Sequence, residues 1–416
     1  MLIKGVRAYV DGRIRKCDIL IKGELIVKIS YCTNAKNRAD ADEKKANKEI
    51  IDAHGLIAFP GLIDIHTHLR EPGQEYKEDF LSGTKAALAG GYTLIYDMPN
   101  NMPKSTISKE ALAEKKSLAK KALCEVRFHF GATENNFAEV RRTKPESMKI
   151  YLGKTVGNLM IKRSAALEHM KNFPKEKQII VHAQKGKSIK SAQNGVRMAI
   201  ELAKKANRKI HITHASSANE IDIAKNWKLA TVDTAPHYLF LSKEEAAKLE
   251  PKERAHVNPP LRNKKEIRLM WKRLKKIDAI ATDHAPHLLE DKIKGASGFV
   301  GLETALALFL DAHCKNKKKI SLKWIAQRFS ENPAKIMNLR KYGKIAPGFY
   351  ANITLVDLKK SWVIKGGEFY SKAKWSPFEG RKLKGKVVKT IYKGKVQYDE
   401  RNIFFGPECT AACLLK

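Results

Sequence analysis

The chain has 416 residues, 43% of them hydrophobic, enough for a substantial core and too apolar for global disorder. Lysine and arginine outnumber aspartate and glutamate by 80 to 44, a formal net charge of +36. The basic residues are spread along the whole chain without a recognisable nucleic-acid module, so nucleic-acid binding is not the expected function, while a positive surface suits an anionic substrate. No apolar run approaches the ~18 residues of a membrane helix. The start, Met1-Leu-Ile-Lys-Gly-Val-Arg7, has no signal-peptide core. The cysteines, Cys17, Cys32, Cys124, Cys314, Cys409 and Cys413, are scattered and form no disulfide framework. Cys409 and Cys413 take a bland reading rather than that of a metal site. A cytoplasmic protein with no membrane partner is expected.

In chain order, residues 1–57 alternate β-rich segments with turns: Leu2–Val10, Asp18–Lys22 and Leu25–Ile29, with the polar stretch Asn34–Lys48 as an exposed loop. From Gly61 to about Leu339 short apolar strands alternate with helical stretches. The candidate strands are Leu94–Asp97, Glu125–Phe130, Met148–Tyr151, Ile179–His182, Ile210–Thr213, Ala230–Asp233 and Ala279–Asp283. The lysine-rich run Glu114–Lys121 reads as a solvated helix face. After Pro347-Gly348 the chain is β-rich again, at Ala351–Asp357 and Val387–Tyr392. Repeated βα units predict a (β/α)8 TIM-like barrel over 58–344. Residues 1–57 and 345–416 are expected to build a composite β-sandwich module beside it.

Residues two apart on a strand share a face. In Asp64-Ile-His66-Thr-His68-Leu-Arg70-Glu-Pro-Gly73, two imidazoles therefore sit side by side, with Arg70 next in the row. Neutral imidazoles can hold a borderline metal such as zinc. An arginine can clamp a carboxylate through two hydrogen bonds. Together they suggest a hydrolase for an acidic small molecule. Barrel active sites lie at the C-terminal strand ends, and the polar residues of this chain gather there: His66, His68, Asn100, Lys149, His182, His214 and Asp283. Each has a plainer reading alone. A strand-end histidine is commonly a hydrogen-bonded structural residue, Lys149 is one lysine among many, and an aspartate before a loop is a helix cap or turn former. Their joint placement where a barrel would converge them is the stronger signal.

With His66-Thr-His-Leu-Arg-Glu-Pro-Gly73, Lys77-Glu-Asp79, Ser82-Gly-Thr84, Met98-Pro-Asn100, Val257-Asn-Pro-Pro-Leu-Arg262, Asp283-His-Ala-Pro-His287 and Gly301-Leu-Glu-Thr304, the whole chain resembles the amidohydrolase superfamily. Within it, the chain is most similar to the type I dihydroorotases. The resemblance implies reversible cyclisation of N-carbamoyl-L-aspartate to L-dihydroorotate and water, in pyrimidine (UMP) biosynthesis. It implies two Zn2+ ions: His66, His68 and Asp283 on the first, His182 and His214 on the second, with Lys149, carboxylated on its amine, as the bridge. A carbamate can span two cations that would repel an ammonium, and Thr155–Ala166 offers no aspartate as an alternative bridge. Asp283 is implied as the acid/base. Arg70, Asn100 and His287 are implied to hold the substrate carboxylate, Asn258, Ser297 and Gly298 to contact the ring edges, and Thr155 to sit in a loop over the site. Gln184 and Tyr238 depart from the pattern of relatives, which often carry an acid and a second histidine there. As partners the resemblance implies the small-molecule substrate pair, and it leaves open a homodimer or association with other pyrimidine-pathway enzymes. Other readings are an allantoinase, a dihydropyrimidinase or an inactive structural homologue.

Overall fold

The computed structural model describes residues 1–31, 49–315, 320–400 and 402–404. The expected loop Asn34–Lys48 and Cys32, Cys409 and Cys413 lie outside the described residues.

The N-terminal strands are β1 (Leu2–Val10), β2 (Arg13–Lys22), β3 (Leu25–Tyr31), β4 (Ile50–Asp52) and β5 (Ile57–Pro60). Next come β6 (Leu62–Thr67), β7 (Tyr92–Asp97), β8 (Glu125–Phe128), β9 (Phe130–Gly131), β10 (Ser147–Tyr151), β11 (Gln178–His182), β12 (Ile210–Ile212), β13 (Ala230–Thr234) and β14 (Ala279–Ile280). The chain closes with β15 (Ile353–Val363), β16 (Lys382–Tyr392), β17 (Lys395–Asp399) and β18 (Asn402–Ile403).

Strands β6, β7 and β8 pair in parallel, as do β9 to β14 in sequence order. Only His129 separates β8 from β9. At the other side the isolated parallel bridge Thr67–His284 and the hydrogen bond from His68 N to His284 O (2.8 Å) bring β6 to the chain beyond β14. Strands such as β6, β7 and β11 are buried on both faces, which explains their largely apolar make-up. Helices follow them: α1 (Phe80–Ala89) after β6, α2 (Lys109–Leu118) after β7, α3 (Arg163–Asn172) after β10, α4 (Ile189–Lys205) after β11 and α5 (Ala218–Lys225) after β12. In α4, Ser188 caps the first turn, and Ala192, Val196, Ala199 and Ala203 recur on the helix period to face the core.

Both chain ends share one sheet. Strand β15 pairs antiparallel with β5 and β16, and β1 links β5 to β2, giving the order β18-β17-β16-β15-β5-β1-β2-β3 with β4 beside β1. This sheet has its own core cluster, including Ile3, Val6, Ile19, Ile26, Ile353, Leu355 and Ile391. No helix of the described residues is long and apolar enough to cross a membrane.

The Glu114–Lys121 run is not wholly a solvated face. Lys115, on α2, is fully buried and pairs with Asp97 at 2.6 Å, and Lys121 reaches Glu71 at 2.8 Å. The helix turns one lysine inward because a buried carboxylate waits there, which the local run of charges does not reveal.

Candidate active site

Strand β6 ends at Thr67, so His66 lies on the strand and His68 just beyond it. Asp283, three residues after β14, has φ +50°, and His214, two residues after β12, has φ +40°. These left-handed turns follow the strand ends. Asp283 Oδ1 lies 3.3 Å from His66 Nε2 and 3.2 Å from His68 Nε2. The three ligand-capable atoms fall within 4.8 Å of one another. The His214 ring packs 5.2 Å from the His66 ring, and His182 Nδ1 meets His214 Nε2 at 2.9 Å.

The donor chemistry fits a cation. Burial pushes His66, His68 and His214 well below the ordinary imidazole range and His182 to about 3, so all four are neutral at pH 7, the form that ligates a metal. The buried His66 Nδ1 and His182 Nε2 have no hydrogen-bond partner. Burial raises Asp283 to about 7, as expected of a carboxylate whose counter-charge is a metal. Lys149, on β10, is fully buried. Its Nζ donates to Thr213 Oγ1 at 3.3 Å, and burial lowers it to about 7.

Arg70 does not continue the strand row. It lies three residues beyond β6 with φ +65°, and its guanidinium swings to the Asp283-His287 loop. Its Nε donates to Pro286 O at 3.1 Å and its Nη2 meets His287 Nε2 at 2.9 Å. Burial lowers Arg70 to about 10 and His287 far below its ordinary range. A small cleft beside them is lined by His68, Arg70, Gln74, Asp97, Met98, Asn100 and Asn101. Asn100 Nδ2 donates to Thr155 Oγ1 at 3.2 Å, while the buried Asn100 Oδ1 is unpartnered.

Asn258 and Ser297 are exposed, on separate loops, whereas Gly298 is buried. Gly298 N donates to His256 O at 3.1 Å, which joins the two loops. A Cβ on Gly298 would stand 2.4 Å from Ala285 O, so only glycine lets this segment lie against the chain after Asp283. The departures find partners too. Tyr238 Oη donates to Pro259 O at 2.7 Å and Gln184 Nε2 to Gly186 O at 2.8 Å.

Sequence reasoning missed the buried groups that hold these loops. Asp97 accepts from Leu69 N at 2.7 Å, and Lys115 Nζ also reaches Met98 O (2.8 Å) and Asn101 Oδ1 (2.6 Å). Asp64 accepts from His66 N (3.0 Å) and Thr282 N (3.2 Å), tying the first strand to the last. Asp233 accepts from His214 N and meets His211 Nε2 at 2.8 Å. Their available signal was an acidic residue at a strand end or inside an apolar strand, where solvation gives no reason for one.

The family model described as "Amidohydrolase family" matches residues 57–397. The chain belongs to the amidohydrolase family. Among curated amidohydrolases, a dihydroorotase of Pyrococcus horikoshii is 36% identical over 88% of this chain and 86% of its own. The multifunctional protein CAD of Squalus acanthias is 35% identical over 88% of this chain, which corresponds to 16% of that protein. Of solved structures, the L-hydantoinase (dihydropyrimidinase) of Arthrobacter aurescens superposes with a TM-score of 0.88 at 23% identity, covering 97% of both chains. That likeness establishes the α/β fold with parallel strands.

Proposed function

We propose that this amidohydrolase is a dihydroorotase, interconverting N-carbamoyl-L-aspartate and L-dihydroorotate in pyrimidine biosynthesis. The observation that carries the reading is the adjacency of two groups. A histidine–aspartate cluster fit for a metal (His66, His68, Asp283) stands beside a buried guanidinium–imidazole pair (Arg70, His287), at 36% identity to a curated dihydroorotase. Dihydroorotate carries a ring carboxylate for such a pair, whereas dihydrouracil has none.

We infer that the parallel strands, with β8 and β9 as one bent strand, close into a (β/α)8 barrel across the Thr67–His284 bridge. The described parts of residues 1–57 and 345–416 would form the β-sandwich module, supported by its separate core, and those of 58–344 the barrel. His66, His68 and Asp283 would hold one zinc ion, His182 and His214 a second. Lys149 would bridge them as a carbamate; a buried amine lowered to about 7 is partly neutral, the form that adds to CO₂. When bound, the metals supply a Lewis acid and a hydroxide at neutral pH.

In the hydrolytic direction Arg70, Asn100 and His287 hold the carboxylate, fixing the ring carbonyl over Asp283. Asp283 takes a proton from the attacking water and delivers it to the departing ring nitrogen as the C–N bond breaks. Asn258, Ser297 and Gly298 face the ring edges, and Thr155, hydrogen-bonded to Asn100, belongs to a loop that covers the site. Closure of the ring runs through the same groups in reverse. A cytoplasmic location is in keeping with the buried thiols Cys17 and Cys124, neither of which is in a disulfide. A relative embedded in a multifunctional protein supports association with other pyrimidine-pathway enzymes, a homodimer being the other assembly open to the chain.

The test is turnover of dihydroorotate against dihydrouracil and allantoin, with metal content per chain measured on the same preparation. Hydrolysis of dihydroorotate alone, with chelator abolishing it and zinc restoring it, is expected. Preference for either uncarboxylated ring would overturn the assignment.

A further inference from the structure

Lys292 lies on the short helix Leu289–Ile293 and is fully buried. Among the described residues no carboxylate comes within ion-pairing distance of it. Its ammonium instead donates to His256 O and, at 3.0 Å, to Gly298 O. It also lies 5.3 Å from the centre of the Phe299 ring and 5.6 Å from that of Trp375. Trp375 belongs to the segment between β15 and β16. Its Nε1 donates to His287 O at 2.8 Å, and its ring carries Arg254 at 5.2 Å. Arg254 in turn donates to Ser376 O at 3.2 Å.

A buried amine without a counter-charge is costly to keep charged, and burial lowers Lys292 to about 7; a methionine or leucine would fill the space between two aromatic rings more cheaply. The lysine is explained by what its donors hold. His256 precedes Asn258 by two residues, and Gly298 follows Ser297. One ammonium therefore fastens both loops assigned to the substrate ring, adding to the single backbone bond from Gly298 N to His256 O. Cation–π contacts then seat the ammonium on Trp375, which grips the carbonyl of the carboxylate-holding His287. Three separate substrate-facing segments meet at this one node.

We propose that Lys292 is a positioning residue for substrate binding: its ammonium locks the 256–260 and 297–299 loops together, and Trp375 extends the lock from the C-terminal segment to His287. The proposal rests on the reading of Asn258, Ser297, Gly298 and His287 as substrate contacts. Loops displaced by about an ångström misplace their hydrogen bonds and cost binding, while the histidines of the metal cluster stand on or just beyond β6, β11 and β12.

The test compares the metal-loaded full chain with Lys292→Met and Trp375→Phe. KM for dihydroorotate is expected to rise about ten- to a hundred-fold in Lys292→Met, with metal content and kcat close to those of the unaltered chain, and to rise less in Trp375→Phe. Amide hydrogen exchange of residues 256–258 and 296–299 is expected to quicken in Lys292→Met. Unchanged KM and unchanged exchange in a folded variant would overturn the proposal, as would a parallel loss of kcat and metal. Should Lys292→Met not fold, Lys292→Gln, which removes the charge and carries its amide donors on a shorter side chain, takes its place in both measurements. An unaltered chain that does not turn over dihydroorotate refutes the reaction assigned above, and the exchange rates still decide whether Lys292 locks the loops.

Discussion

Arg70 and Asp283 depend on backbone conformations that most side chains avoid, with φ of +65° and +50°. For Asp283 this makes the isosteric change informative. Asparagine tolerates the left-handed region as well as aspartate does, so Asp283→Asn keeps the turn and a metal-facing oxygen but loses the proton acceptor. Turnover is expected to fall about 10²- to 10⁴-fold with metal still bound, as read by steady-state assay and metal analysis; near-normal turnover removes Asp283 from the chemistry. For Arg70, two of the guanidinium nitrogens are committed to Pro286 O and His287. Arg70→Lys supplies one point charge and no fork, so it is expected to bind dihydroorotate hardly better than Arg70→Ala, both chiefly raising KM. Equal affinity across the three proteins would dismiss the clamp. These residues stood out in the sequence not by type, since each is ordinary at a strand end, but because they occur there together. Their backbone was not: the alternation that placed Arg70 on the strand ends at Thr67.

The elements themselves were legible from period and punctuation, since each predicted strand overlaps an observed one. What the sequence hid is how the loops after them are held. Asp97 closes β7 and Lys115 sits in a run of lysines, yet the pair is fully buried at 2.6 Å and braces the loops of Leu69 and Met98–Asn101. Nothing local distinguishes Lys115 from Lys116, because inward orientation depends on where α2 lands against β7. Removing one partner leaves the other charge buried and alone, a cost of about 3–5 kcal/mol. Lys115→Met is therefore expected to lower the urea midpoint strongly, and the double variant Asp97→Asn/Lys115→Met to recover a large part of the loss. A double variant as unstable as the single one would mean that the hydrogen bonds to Met98 and Asn101, rather than the charge, carry the effect.

At the scale of the whole molecule, the meeting of the two chain ends was foreseeable from β-rich segments on either side of βα repeats, but the joint itself was not. Strand β5 spans the expected boundary at residue 57/58 and runs into β6 with only Gly61 between them. A Cβ on Gly61 would meet the Thr93 side chain at 2.4 Å, so the two regions pack without a gap at this hinge. Hydrogen bonds then cross from one region to the other: Gly61 N to Asn352 O (2.7 Å), Thr354 Oγ1 to Gly91 O (2.6 Å) and Thr390 Oγ1 to Leu88 O (2.7 Å). Half-buried Glu303 accepts from Tyr370 N (3.1 Å) and Ser371 N (3.2 Å), and Trp375 reaches His287. Domains joined by a flexible linker unfold separately, whereas regions sharing strands and buried polar bonds lose their partners together. The metal-free chain is therefore expected to show one transition in urea, with coincident midpoints by far-ultraviolet circular dichroism and by tryptophan fluorescence. The fluorescence probes sample both regions, with Trp271 and Trp324 among the helices and Trp362 and Trp375 in the C-terminal part. Two resolved midpoints would show that the terminal sheet folds as an independent unit, and the active-site loops would then have to hold their shape without Trp375.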